Sequence, residues 1–334
     1  MNSIFKMTSA VTGAAMLAMA MAAPASAELS RITIATGAPG TIFNQIGSAM
    51  ATVLQKSTGA ASTTRPMSGA ALYLKAISQQ TVELAITGVT NSAFAFRGEA
   101  GYSPRMPELR GLVLVGSTPM QYHVSGDSPE MTIGDLRGKK VVKGLRSSPA
   151  FTLVLGAVLA TGGLTLDDIE GVDAAGVRPG IAAFTEGRVY SMMGALGMSA
   201  LREAEATMPG GVRALQMGPD ESKLLTVPGL RAGTVNPNPA FVGVKEPTRV
   251  LLFETYLHAN EKMSADDAYT ITKAIFEGWA DMQEAVPFLR GAKREELLPP
   301  HISLPLHEGA VRFYKEQGLW TDAHQVEQDA LLAL

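Results

Sequence analysis

The stretch Arg31-Ile32-Thr33-Ile34-Ala35-Thr36-Gly37-Ala38-Pro39-Gly40-Thr41-Ile42 decides how this chain folds. Its first six residues alternate and are rich in β-branched side chains, the pattern of a strand. Over residues 41–56 the apolar residues Ile42, Ile46, Met50, Val53 and Leu54 recur at helical spacing. The unit is therefore strand, small-residue loop, helix. It recurs at 61–66 with 69–79, 82–87 with 91–97, 139–143 with 147–159 and 189–193 with 198–207. Such alternation predicts an α/β fold with mainly parallel strands. In sheets of this kind ligands collect outside the carboxyl ends of the strands, where these loops lie.

Two stretches break the alternation. Residues 111–117 and 120–125 are β-rich on either side of Thr118-Pro119, and 240–244 with 250–257 flank Lys245-Glu246-Pro247-Thr248. Read as crossings between domains, they divide the chain into one lobe of residues 28–122 plus 240–334 and a second lobe of residues 123–239. The tail is helical, with Ala268, Ile271, Ile275 and Met282 at near-helical spacing over 265–284 and a further helix over 310–317.

The first 27 residues read as a cleaved leader. Lys6 precedes an apolar run at 11–23, and Ala25-Ser26-Ala27 is a small-residue cleavage signal. The run is too short for a transmembrane helix and is broken by Pro24. These features predict export to the periplasm, without stable membrane insertion of the mature chain. The 334 residues contain no cysteine, so stability there rests on packing. The formal net charge is −3, and one unit more negative without Lys6. That argues against nucleic acid as a partner.

Three loops are candidate anion seats: Thr36-Gly37-Ala38-Pro39-Gly40-Thr41, Met67-Ser68-Gly69-Ala70 and Leu145-Arg146-Ser147-Ser148-Pro149. The first turn of a helix has amides without intrahelical partners, and the macrodipole adds positive charge there. Arg65 at the end of the second strand, Arg146 inside the third loop and Arg178 before Pro179 are candidate carboxylate forks. Of the aromatics near the loops, Phe43 and Tyr122 are placed to wall a pocket, while Tyr73, Phe94, Phe96, Phe151 and Tyr190 read as core.

Enzyme chemistry is not indicated. His123, His258, His301, His307 and His324 show no metal-ligand spacing, and there is no Gly-x-Ser-x-Gly elbow. No catalytic residue, metal site or cofactor is expected, and Gly37-Ala38-Pro39-Gly40 lacks the rest of a nucleotide loop. Carbohydrate is disfavoured, because Trp279 and Trp320 both fall on the C-terminal helices.

Several segments, taken in order, resemble the TAXI family, the solute-binding subunits of tripartite ATP-independent periplasmic (TRAP) transporters. They are Thr36-Gly37-Ala38-Pro39-Gly40-Thr41-Ile42-Phe43, Ser68-Gly69-Ala70, Phe96-Arg97-Gly98-Glu99, Ile133-Gly134-Asp135-Leu136-Arg137-Gly138-Lys139, Phe184-Thr185-Glu186-Gly187-Arg188 and Leu304-Pro305-Leu306-His307-Glu308-Gly309. The resemblance implies a two-lobed periplasmic binding protein of type II-like form, with mixed sheets flanked by helices and a hinged ligand cleft. It also implies an integral-membrane TRAP permease as partner and a small organic acid as ligand. Carried over by motif, the ligand loops hold Gly37, Gly40, Thr41 and Phe43; Ser68 and Gly69; Thr90 and Asn91; Ser147 and Ser148; and Ala195 to Gly197.

Departures from the family narrow the ligand. Phe43-Asn44 replaces the usual paired tyrosines, and Gly88-Val89-Thr90-Asn91 replaces a Gln-Ser-Asp run. Without that acid a ligand ammonium has no partner, which favours a mono- or dicarboxylate lacking an amine. The rival readings are a periplasmic ligand-sensing subunit, a binding protein for an ABC transporter and, in another class, an exported α/β enzyme.

Overall fold

The computed structural model describes residues 29–334, so the expected leader lies outside the described residues. The opening unit forms where the pattern places it, as β1 (Arg31–Thr36) followed by α1 (Ile42–Thr58). The α1 face carrying Ile42, Ile46, Met50, Val53 and Leu54 is buried, and Gly59 ends the helix in the left-handed conformation at φ 75°. That is the stop a residue without Cβ allows at least cost. Next come β2 (Ala61–Pro66), α2 (Ala70–Ser78), β3 (Leu84–Gly88) and α3 (Val89–Arg97). β1 runs parallel to both β2 and β3.

The expected interruption at Thr118-Pro119 is absent. β4 (Leu109–Ser125) is one strand of 17 residues. Pro119 sits within it opposite Leu252, and its carbonyl still accepts from the Leu196 amide at 3.0 Å. A local irregularity relieves the strand nearby: Gly116 adopts φ 122°, and the register shifts opposite Thr255 and Tyr256. The near end of β4 pairs with β10 (Thr248–Asn260), which also pairs with β3. The far end pairs with β7 (Met192–Ala195) and β8 (Val212–Ala214). β10 in turn carries β9 (Leu230–Val235) on its first half. Two long antiparallel strands thus run through a mixed sheet of order β2-β1-β3-β10-β4-β7.

The middle of the chain repeats the strand-helix unit. β5 (Lys140–Leu145) leads to α4 (Phe151–Thr161), β6 (Glu170–Ala174) pairs parallel with β5, and α5 (Val177–Thr185) and α6 (Ser199–Thr207) follow. β6 and α5 lie outside the strand-helix units that periodicity predicted. Three of the six residues from Val172 to Val177 are Ala or Gly, so the apolar signal is thin there. The expected helix over 265–284 is two helices, α7 (Ala265–Glu277) and α8 (Trp279–Ala285), broken at Gly278. A Cβ at Gly278 would lie 2.4 Å from Val53, so the break lets α1 pack closely against both. α9 (Glu308–Glu316) is capped by His307, whose Nδ1 accepts from Gly309 N, and α10 (Asp322–Leu332) closes the chain. No described helix is long and apolar enough to cross a membrane.

Candidate ligand-binding site

Six helices begin on one cavity. It measures about 200 Å³, and its wall includes Ile42 and Phe43 at the start of α1, Ala70 of α2, Asn91 of α3, Phe151 of α4, Val177 of α5 and Met198 just before α6. Each follows a strand or loop at the carboxyl edge of the sheet, so the placement is a consequence of topology.

These helix starts differ from the others in one respect. None of α1 to α6 has an acidic residue in its first turn, and none has a side-chain cap. α7, α9 and α10 have both: Ser264 with Asp266 and Asp267, His307 with Glu308, and Thr321 with Asp322. Acids and caps at a helix start neutralise its partial positive charge. The cavity-facing starts carry no such acid or cap, and among the described residues no carboxylate lines the cavity. Each start contributes about 0.3 to 1 kcal/mol toward a nearby anion, and up to ~2 when partly buried. Several together approach the ~8 kcal/mol of micromolar binding.

Two side chains add directed donors. Asn91 is 2% exposed, and its Oδ1 accepts from Tyr102 Oη at 2.8 Å and Ser148 Oγ at 2.9 Å. The carbonyl side is thereby occupied, and the amide Nδ2, which has no acceptor among the described residues, remains as a donor toward the cavity. Tyr73 is 4% exposed and its hydroxyl likewise has no partner among the described residues. Burial pushes its pKa well above the usual tyrosine range, so it stays a neutral donor.

The expected site residues divide accordingly. Thr41, Phe43, Ser68, Gly69, Asn91, Ser147, Ser148, Arg178 and Ala195 line the cavity together. Gly37 and Gly40 stand behind the wall: a Cβ on Gly37 would come within 3.3 Å of the Tyr73 hydroxyl, and Gly40 takes φ 87° against Arg178. Gly197 also sits outside the lining, near Ile42. Thr90 turns away and donates to the Pro228 carbonyl at 2.6 Å.

Arg65 and Arg146 are not brought to the cavity. Arg65 is exposed, with Nη1 toward the Thr81 carbonyl at 3.4 Å, and Arg146 is exposed, with Nη1 toward the Asp173 carbonyl at 3.4 Å. Arg146 lies in the turn after β5, where its amide still donates to the Ala174 carbonyl at 3.0 Å and its side chain is left outside. Tyr122 does not wall the pocket either; it is fully buried in the core. Tyr73, Phe151 and Phe253 do line the cavity. For Tyr73 and Phe151, helical spacing could not separate lining from core, because the cavity lies within the core and the same helix face serves both.

Arg178 belongs to a seam. Its Nη1 donates to the Pro39 carbonyl at 2.8 Å, and its Nη2 lies 3.7 Å from the Glu203 carboxylate. The Gly40 carbonyl accepts from Ala200 N at 3.4 Å and Ser199 Oγ at 3.3 Å, while Ala71 N donates to the Ser147 carbonyl at 3.3 Å. Segments from the start and the middle of the chain therefore meet directly around the cavity.

A family model described as NMT1-like matches residues 34–318, which include every helix that begins on the cavity. The chain belongs to the NMT1-like family. Solved structures share the fold. One titled as a periplasmic transporter aligns with a TM-score of 0.55 at 17% identity, covering 90% of this chain and 95% of its own. The VFT2 domain of Bordetella pertussis BvgS aligns at 0.50 and 14% identity, covering 78% of this chain and 93% of its own. The NMT1-like chain thus has the two-lobed fold of a periplasmic solute-binding protein, with mixed α/β sheets flanked by helices. Among the described residues, no His, Cys, Asp and Glu cluster is arranged to hold a metal ion.

Proposed function

We propose that this protein captures a small organic anion, a mono- or dicarboxylate, in the periplasm and delivers it to a TRAP-type permease. In this reading residues 28–122 with 240–334 form one closing lobe and residues 123–239 the other, with β4 and β10 as the hinge. The observation that carries the anion is the convergence of six uncapped, acid-free helix starts on one cavity. A cation would meet uncompensated positive ends and no carboxylate. The ordered TAXI-like motifs support the TRAP partner, since no single loop distinguishes one transporter class from another.

Thermal melting of the chain from residue 28 onward, against paired acids and their neutral amides, tests the anion. A ligand that binds only the native state raises the midpoint, so acids should raise it and amides should not. Equal shifts for both would end the reading. Uptake into vesicles carrying the candidate permease tests the partner: TRAP delivery predicts transport driven by an ion gradient, and dependence on ATP hydrolysis would place the protein with an ABC transporter.

A further inference from the structure

Resting on the organic-anion reading, we infer that the ligand is a monocarboxylate with an apolar body, and that dicarboxylates and amino acids are rejected. The polar groups of the cavity gather at one seat. A Cβ built on Gly176, before α5, would lie 3.1 Å from Ser147 Oγ and 3.2 Å from the Ser68 carbonyl, and one built on Gly69, before α2, would lie 2.4 Å from Ser147. Ser148, which follows Ser147, holds Asn91 of α3. The starts of α2, α3, α4 and α5 therefore gather around Ser147 and Ser148, with the Asn91 amide and Tyr73 hydroxyl as donors, while one α2 amide, Ala71 N, already donates to the Ser147 carbonyl. Of the two other starts, that of α1 follows the Gly37 loop, where a Cβ on Gly37 would meet the same Tyr73 hydroxyl at 3.3 Å, and that of α6 donates from Ala200 N to the Gly40 carbonyl.

The rest of the wall is mostly apolar, with Phe43, Phe151, Phe253, Met120, Met193 and Met198 on it. Phe151 and Phe253 meet edge to face at 6.2 Å, and the lack of a Cβ at Gly88 lets the Phe253 ring lie flush against the strand end. Among the described residues Arg178 is the one cation on the lining, and its guanidinium donates to the Pro39 carbonyl and faces Glu203. A second carboxylate would lose its water against rings and thioethers without a partner. An α-ammonium fares no better, because the cavity has no acid and the Asn91 carbonyl already accepts two hydroxyl donors.

Calorimetry on the chain from residue 28 onward decides this with 4-methylpentanoate, phenylacetate, glutarate, leucine and 4-methylpentanamide. The expected order is a monocarboxylate at least tenfold tighter than glutarate, leucine and the amide. Glutarate or leucine binding as tightly as 4-methylpentanoate would overturn the inference and leave the organic-anion reading intact. Amide binding equal to the acid, or no heat with any acid, would overturn both. Phe43→Lys, on the partly buried first turn of α1, supplies a second cation and should raise glutarate affinity at least tenfold relative to 4-methylpentanoate; an unchanged ratio in a variant folded by circular dichroism would count against the inference.

Discussion

At the scale of single residues the site turns on which atoms are already occupied. Asn91 spends its carbonyl on Tyr102 and Ser148 and keeps its amide free. Asn91→Asp keeps both accepted hydrogen bonds but replaces the donor with a charged acceptor. We expect anion affinity to fall by tenfold or more, in line with the ~1.5 to 3 kcal/mol of a charged hydrogen bond, with the melting temperature little changed. Calorimetry beside a thermal melt checks it. Arg178 has a half-exposed side chain and holds the seam rather than the cavity floor. Arg178→Ala should therefore speed ligand release more than it slows capture, which stopped-flow binding would read. Arg146→Ala, by contrast, should leave affinity unchanged, because that side chain lies on the outer surface. The sequence singled out Arg146 as a cation in a helix-opening loop, but it does not reveal which side of the loop a side chain takes.

At the scale of elements, the strand, loop and helix units were legible because their apolar periods are clean, as in β1 and α1. β4 was read as two pieces because proline usually ends a strand, and here a distortion at Gly116 lets the ladder continue. The gathering of helix starts was partly legible too. Three loops read as anion seats, and the starts of α5, at Arg178-Pro179, and α6, at Met198, read as helix starts without being read as seats, since neither follows a Ser, Thr or Asp cap. The missing first-turn acids can be tested directly. Leu72 lies in the first turn of α2 and is exposed. Leu72→Asp places a carboxylate where helices usually carry one, so the ligand-free protein should melt no lower, while anion affinity drops two- to fivefold, matching about 0.3 to 1 kcal/mol. A lower melting temperature with unchanged affinity would contradict the dipole account.

For the whole molecule, acid is the stress the fold is least prepared for. His123 on β4 and His258 on β10 are sealed, and none of their ring nitrogens has a hydrogen-bond partner. Burial lowers each pKa from 6.5 to about 4. Above pH 6.5 both rings are neutral whether the chain is folded or not, and they do not affect stability. Between 6.5 and about 4 the unfolded chain takes up protons that the folded chain refuses, so stability falls with pH. The loss is on the order of 2 kcal/mol per histidine by pH 5. Glu130 acts lower still: burial opposes its charge, but Lys139, Tyr190 and Ser128 hold its pKa down to about 2. Urea unfolding at pH 7 and pH 5 should show the fall, and His258→Leu should reduce it. A midpoint independent of pH over that range would refute the assignment.

The cavity wall draws its guest with peptide dipoles and neutral hydroxyl and amide groups that lie inside the molecule. Attractions sheltered inside a cavity are screened by dissolved electrolyte much less than those on the surface. Grip on the guest should be nearly the same in fresh or briny water, and the surroundings can loosen it chiefly by protonating the guest itself.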